Sequence, residues 1–246
     1  MGDSGCEEVY CKPLAGVQAV VLRVSTVFRN VGGVAVVLLY SGRSNSLMKK
    51  ILTASLLAAC ALPAYKISSD EQTLLVNHLQ TTAKELRAAV KGLSPEQFKF
   101  KAGPDRWSVA ECLEHISTSE EFIRQVTERA LKSTPKPEGI AERKKNDGKL
   151  LEGVVDRSQK FQAPEPLRPS NKFATPQAAL DHFLKARKDT IVFAKTTDAD
   201  LRAYTAPHPV FKELDGYQWL LLLSGHSSRH TKQILEVKAD PNFPKK

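Results

Sequence analysis

From about Asp70 onward, apolar residues recur at steps of three and four, the spacing that puts side chains on one face of an α-helix, and they do so in four separate stretches. Leu75, Leu79, Thr82, Leu86, Val90 and Leu93 form the first stripe, which stops near Gly92. Val109, Cys112, Leu113, Ile116, Ile123, Val126 and Ala130 form the second, and Leu180, Phe183, Leu184, Ile191 and Ala194 the third. The fourth is Trp219, Leu222, Leu223, His226, His230, Ile234 and Val237. Helices with a single apolar stripe bury it most simply against one another, so the sequence predicts an all-α fold, a four-helix bundle. No segment after residue 70 reads as a strand.

The helix starts are also written in the chain. Ser108 with Glu111, and Asp215 with Gln218, have the capping-box spacing, in which each partner satisfies a free N–H of the first turn. Thr175-Pro176 offers an N-cap followed by a proline where its missing N–H is harmless. Ser94-Pro95 and Gly103-Pro104 punctuate the loop before the second helix. Between helices two and three, Ser133 to Ala174 is rich in Lys, Pro and Gly. At roughly forty residues it exceeds an ordinary helix–helix loop, so a long crossover with some structure of its own is expected.

The 246 residues carry a formal charge of +9, but the 36 basic side chains are dispersed among 27 acids. That pattern describes a solvated surface, and nucleic acid is not an expected partner. A hydrophobic share of 41% excludes collagen-like, low-complexity and disordered classes. Cys6, Cys11, Cys60 and Cys112 suit neither a disulfide framework nor a four-cysteine zinc module.

Met48-Lys49-Lys50 opens an apolar run from Ile51 to Ala64, too short to span a bilayer but shaped like a secretory signal. Residues 48–64 are therefore expected to direct export. A signal begins a protein, so residues 1–47 are read as a non-native, upstream extension, the alternative being a real N-terminal segment of strands or membrane-associated chain. Leu57-Ala58-Ala59-Cys60 resembles a bacterial lipobox, which would anchor the protein to a membrane through a lipidated Cys60; cleavage after Ala64 would release it into the periplasm. Either outcome leaves Cys112 as the one cysteine of the folded part.

His226 and His230 are four residues apart on the inward stripe of the fourth helix, so both imidazoles share a face one turn apart. Polar rings in an apolar core need partners, which can be a shared metal ion, core hydrogen bonds or water at a bundle end. His115, one turn after Cys112 and one turn before Ser119, is the best third ligand from another helix.

The segment Trp107-Ser108-Val109-Ala110-Glu111-Cys112-Leu113-Glu114-His115-Ile116, followed by His226-Ser227-Ser228-Arg229-His230-Thr231-Lys232-Gln233-Ile234, resembles the DinB-like (DinB/YfiT-like) superfamily of metal-dependent enzymes. The resemblance runs from about Asp70 to Pro244, includes His208-Pro209, and delimits a DinB-like domain over 67–246. It implies a divalent metal ion, nickel, zinc, manganese or iron, held by His115, His226 and His230 with positions left open. It further implies a hydrolase or transferase acting on a small-molecule substrate. Characterised members include transferases and isomerases that use the thiols bacillithiol or mycothiol; those are cytosolic, so an exported member is better suited to hydrolysis. The alternative is a non-catalytic bundle that binds a metal or ligand, and a homodimer is left open.

Neighbouring residues carry competing readings. Cys112 is a soft fourth ligand or a small core residue. Glu111 is taken by the capping box, and no clear general base stands out. Gln233 and Arg229 either orient a ligand or face solvent, while His78, His182 and His208 read as structural.

Overall fold

The structure, a computed structural model, describes residues 67–245. The extension, the signal segment and Cys60 lie outside the described residues. In chain order the elements are α1 (Ser69–Val90), α2 (Pro95–Lys99), α3 (Val109–Ala130), α4 (Ile140–Lys145), α5 (Asp147–Val155), a 3-10 turn (Glu165–Leu167), α6 (Pro176–Thr196), β1 (Thr205–His208), β2 (Lys212–Asp215) and α7 (Gly216–Lys238). The long helices α1, α3, α6 and α7 form the bundle. Both α1 and α3 pack between α6 and α7, so the first two long helices stand diagonally across it. Among the described residues no helix is long and apolar enough to cross a membrane.

Local chemistry fixes the ends. At α3, the Ser108 N–H donates to Glu111 Oε2 (2.7 Å) and the Glu111 N–H to Ser108 Oγ (3.2 Å), and Asp215 with Gln218 repeats the exchange at α7. Ser68 with Glu71 does the same for α1. Gly92, at φ 70°, takes the left-handed turn just beyond α1, a conformation glycine adopts without strain.

The core has two apolar clusters. One gathers Leu75, Leu79, Ile123, Leu220 and Leu221, and the other Leu86, Val90, Ile116, Phe183 and Ile234. A charged layer lies between them in sequence on all four helices. Arg187, 1% exposed, donates through Nε and Nη2 to the two oxygens of Glu120 (2.6 and 2.7 Å). Its remaining hydrogens reach the Leu79 carbonyl, Thr82 Oγ1 and Ser227 Oγ, at 2.7–2.8 Å. Such a pair is tolerable in a dry interior only because each polar atom is satisfied.

The expected absence of strands needs correcting. Thr205–His208 and Lys212–Asp215 pair antiparallel, with His208 opposite Lys212. Each strand has four residues and no apolar alternation, so nothing in the pattern announced it. The turn is held by a side chain instead: His208 Nδ1 accepts from the N–H groups of Val210 and Phe211, both at 3.1 Å.

That arrangement makes the hairpin tip sensitive to acid. Burial pushes His208 below the ordinary imidazole value, so the unfolded tip takes up the proton first as pH falls. The two bonds are therefore complete above pH about 6.5 and lost as pH drops toward the lower folded-state value. Hydrogen-exchange protection of the Val210 and Phe211 amides is expected to fall on acidification while mid-α7 amides keep theirs. Equal retention at both places would contradict this role for His208.

Candidate metal centre

α3 and α7 pack side by side, which brings His115 from one against His226 and His230 from the other. One ring nitrogen from each lies within 4.8 Å of the others, and His115 Nε2 is 3.0 Å from His226 Nε2. The ring centroids of the three are 4.5–4.9 Å apart. Trp107 backs the cluster, with its ring 4.9 Å from His115 and stacked on His230 at 6.0 Å. His115 is 3% exposed and His230 9%, while His226 is partly buried.

Hydrogen bonds on the far sides of the rings decide which nitrogens are free. His115 Nδ1 lies 2.7 Å from the Leu167 carbonyl, which can only accept, so Nδ1 carries the proton and Nε2 the lone pair. His230 Nδ1 lies 2.8 Å from Gln233 Oε1. Arg157 Nη1 also donates to that oxygen, at 3.3 Å, which identifies it as the amide oxygen; Nε2 of His230 is therefore the free nitrogen too. Partners on Nδ1 that fix the tautomer and aim Nε2 are the usual support of metal-binding histidines.

Electrostatics favour the neutral rings. Burial lowers the His115 pKa against the opposing pull of the Leu167 carbonyl. Burial, followed by the neighbouring His230 and His115 rings, holds His226 well below the imidazole range. Burial and His115 bring His230 down to about 3. Neutral imidazoles suit a divalent cation, which would take the place of the proton that His226 Nε2 donates to the His115 Nε2 lone pair across 3.0 Å.

The cluster opens into a cavity of about 500 Å³. Its wall includes Trp219 of α7, Phe211 of the hairpin, and residues 153–154, 157, 160–164 and 167 of the crossover. Three of the ties that hold the crossover lie beside the cavity. Arg229 donates to the carbonyls of Val154 (3.3 Å), Asp156 and Gln159 (2.6 Å). The buried Glu114 carboxylate accepts from the N–H groups of Ser170, Asn171 and Lys172, at 2.7–3.2 Å. His115 holds the Leu167 carbonyl between them. At Gly225 of α7 a Cβ would come within 3.1 Å of Val154 Cγ1, so glycine permits the close approach of α5.

The weighed residues fall into place. Gln233 orients His230, and Arg229 braces the crossover rather than a ligand. Glu111 caps α3 and pairs with Lys101 at 2.9 Å. Cys112 is buried in the apolar cluster with Val109 and Leu113, where burial pushes its thiol pKa far up and keeps it protonated. His182 lies 3.3 Å from Glu121, and His78 is partly buried on α1. His208 holds the hairpin tip and lines the cavity. Two contributors carried no sequence signal. Leu167 acts through its backbone, and Arg157, which grips Glu236 at 2.6 and 2.7 Å while donating to Gln233, sits in the crossover outside any motif.

Comparison with known proteins points one way. Residues 78–234 match the family model of the DinB superfamily. Over 150 residues, 61% of this chain and 88% of the relative, the sequence is 29% identical to the uncharacterized protein YuaE of Bacillus subtilis (strain 168). Among solved structures, YfiT from Bacillus subtilis, described as a probable metal-dependent hydrolase with an unusual four-helix bundle topology, aligns with a TM-score of 0.52. That alignment covers 74% of this chain and 94% of YfiT at 15% identity, a likeness of fold.

Proposed function

Because the chain belongs to the DinB superfamily, we propose that it is a metal-dependent hydrolase or transferase acting on a small molecule, with His115, His226 and His230 holding a divalent ion. The observation that carries this reading is the convergence of three neutral imidazoles, two with their Nδ1 protons tied up behind them, on the wall of a cavity of small-molecule size. The description of YfiT as a probable metal-dependent hydrolase supports it. An ion with three histidine ligands and an open position supplies Lewis acidity to a water or a carbonyl.

The chain's own groups do the positioning. The Leu167 carbonyl and Gln233 Oε1 each hold a ring in one tautomer, and Arg157 holds Gln233. Trp107 packs against the rings of His115 and His230 and so limits their movement. An all-imidazole donor set favours nickel, zinc or iron over manganese, which prefers carboxylate oxygens. The basic start and apolar run at 48–64 support export, which in turn favours hydrolysis over chemistry with cytosolic thiols.

Cobalt(II) loading tests the reading against a pocket that only holds a metal. Stoichiometric uptake is expected, with a visible spectrum that changes when azide is added because a position remains exchangeable. Stoichiometric cobalt with an azide-insensitive spectrum, and no hydrolysis of an ester and amide panel, would overturn the catalytic assignment.

A further inference from the structure

Hydroxyl side chains inside this bundle take backbone carbonyls as partners. Ser117 Oγ donates to Leu113 O (2.9 Å) and Ala179 O (2.7 Å), Thr118 Oγ1 to Glu114 O and His115 O, and Ser224 Oγ to Leu221 O. Ser119 departs from this pattern. It is 1% exposed, sits one turn beyond His115 and lines the same cavity, yet its Oγ has no hydrogen-bond partner. Of the buried side-chain atoms lacking partners among the described residues, it is the one on the cavity wall. The protein gives this hydroxyl no partner, which leaves it to pair with a polar group that enters the cavity.

The mouth of the cavity says what the rest of that ligand is. Phe122 of α3, Phe161 of the crossover and Val210 of the hairpin all line it and stay 38%, 55% and 49% exposed. One exposed apolar residue is ordinary; three contributed by separate segments to one opening make a surface for an apolar partner. Trp107 and Trp219 continue that surface inward.

We propose that the pocket takes a small molecule with a flat apolar body, lodged against Phe122, Phe161 and Val210, whose hydroxyl, ester or amide oxygen bonds to Ser119 Oγ. Arylalkyl alcohols and their esters or amides are the class that fits. The inference rests on the reading of this cavity as the substrate site, and its test works with or without a metal.

The two tryptophans of the chain both line the cavity, so intrinsic fluorescence of the full chain reports its filling. Phenylbutanol is titrated against butanediol, which keeps the hydroxyl and lacks the ring, into both chelator-treated and zinc-loaded protein. Phenylbutanol is expected to bind at least about tenfold tighter, from burial of the ring. Phe161→Ala, a change at an exposed site that spares the fold, is expected to weaken it about three- to tenfold. Ser119→Ala should weaken it about fivefold, the worth of one hydrogen bond, without lowering Tm, because the substitution removes an unpaired hydroxyl. No preference between the two alcohols, or a Phe161→Ala variant with wild-type affinity, overturns the apolar body. A Ser119→Ala variant that binds phenylbutanol as wild type overturns the hydroxyl contact. Selective binding by a protein that takes up none of zinc, nickel, iron or cobalt when they are supplied would uphold this inference and remove the metal reading; stoichiometric uptake without selectivity would do the reverse.

Discussion

His230→Ala is expected to lose stoichiometric metal while keeping a folded helical bundle. The variant retains two of three converging nitrogens, and Gln233 is left with Arg157 but no ring to orient. Loss of a supporting partner alone typically costs 10–100-fold in metal affinity, so loss of a ligand should exceed about a hundredfold. Gln233→Ala supplies the graded comparison: His230 stays, its tautomer is no longer fixed, and affinity should drop by an intermediate amount. The fold is spared because the apolar stripe of α7, including Leu223, Ile234 and Val237, is untouched. Elemental analysis and chelator competition on the three proteins, with circular dichroism to confirm helicity, decide the matter. Equal metal content in wild type and His230→Ala would place the ions elsewhere.

The second large effect is on stability. Glu120→Ala leaves the Arg187 guanidinium buried with its main acceptor gone, a situation that costs about 3–5 kcal/mol. That is a large part of the roughly 5–15 kcal/mol available to a typical domain. Replacing both partners, as Glu120→Leu with Arg187→Met, should recover most of the loss, since no charge is then stranded. Urea unfolding of the single and double variants measures both. A single variant within about 1 kcal/mol of wild type would mean that water reaches the layer and that the pair is not structural.

Much of the bundle was legible because helices announce themselves through local chemistry. Ser108, Thr175 and Asp215 each cap the helix their spacing assigned to them, and Leu75, Leu79 and Leu86 point inward as their steps require. The meeting of His115 with His226 and His230 was legible too, since each lies on or beside an inward stripe. Other features depend on pairings distant in sequence and carry no period. Glu120 and Arg187 are 67 residues apart, and neither residue type belongs on an apolar stripe. The Glu114 carboxylate gripping 170–172 and the hairpin closed by His208 Nδ1 each depend on one side chain meeting backbone N–H groups. Within Ser133–Ala174, Leu150 and Val154 of α5 enter the apolar core and such contacts hold the rest, but two buried side chains among many Lys and Pro are too few to read as a stripe.

The bond between His115 Nδ1 and the Leu167 carbonyl makes one stretch of main chain answerable for two properties. The crossover shapes the wall that a ligand meets, and it also sets which nitrogen His115 presents to the centre. Grafting this stretch between relatives would therefore not exchange selectivity alone. A graft that moved the carbonyl at position 167 by one residue would leave all three histidines in the sequence and still remove the acceptor that fixes the His115 tautomer.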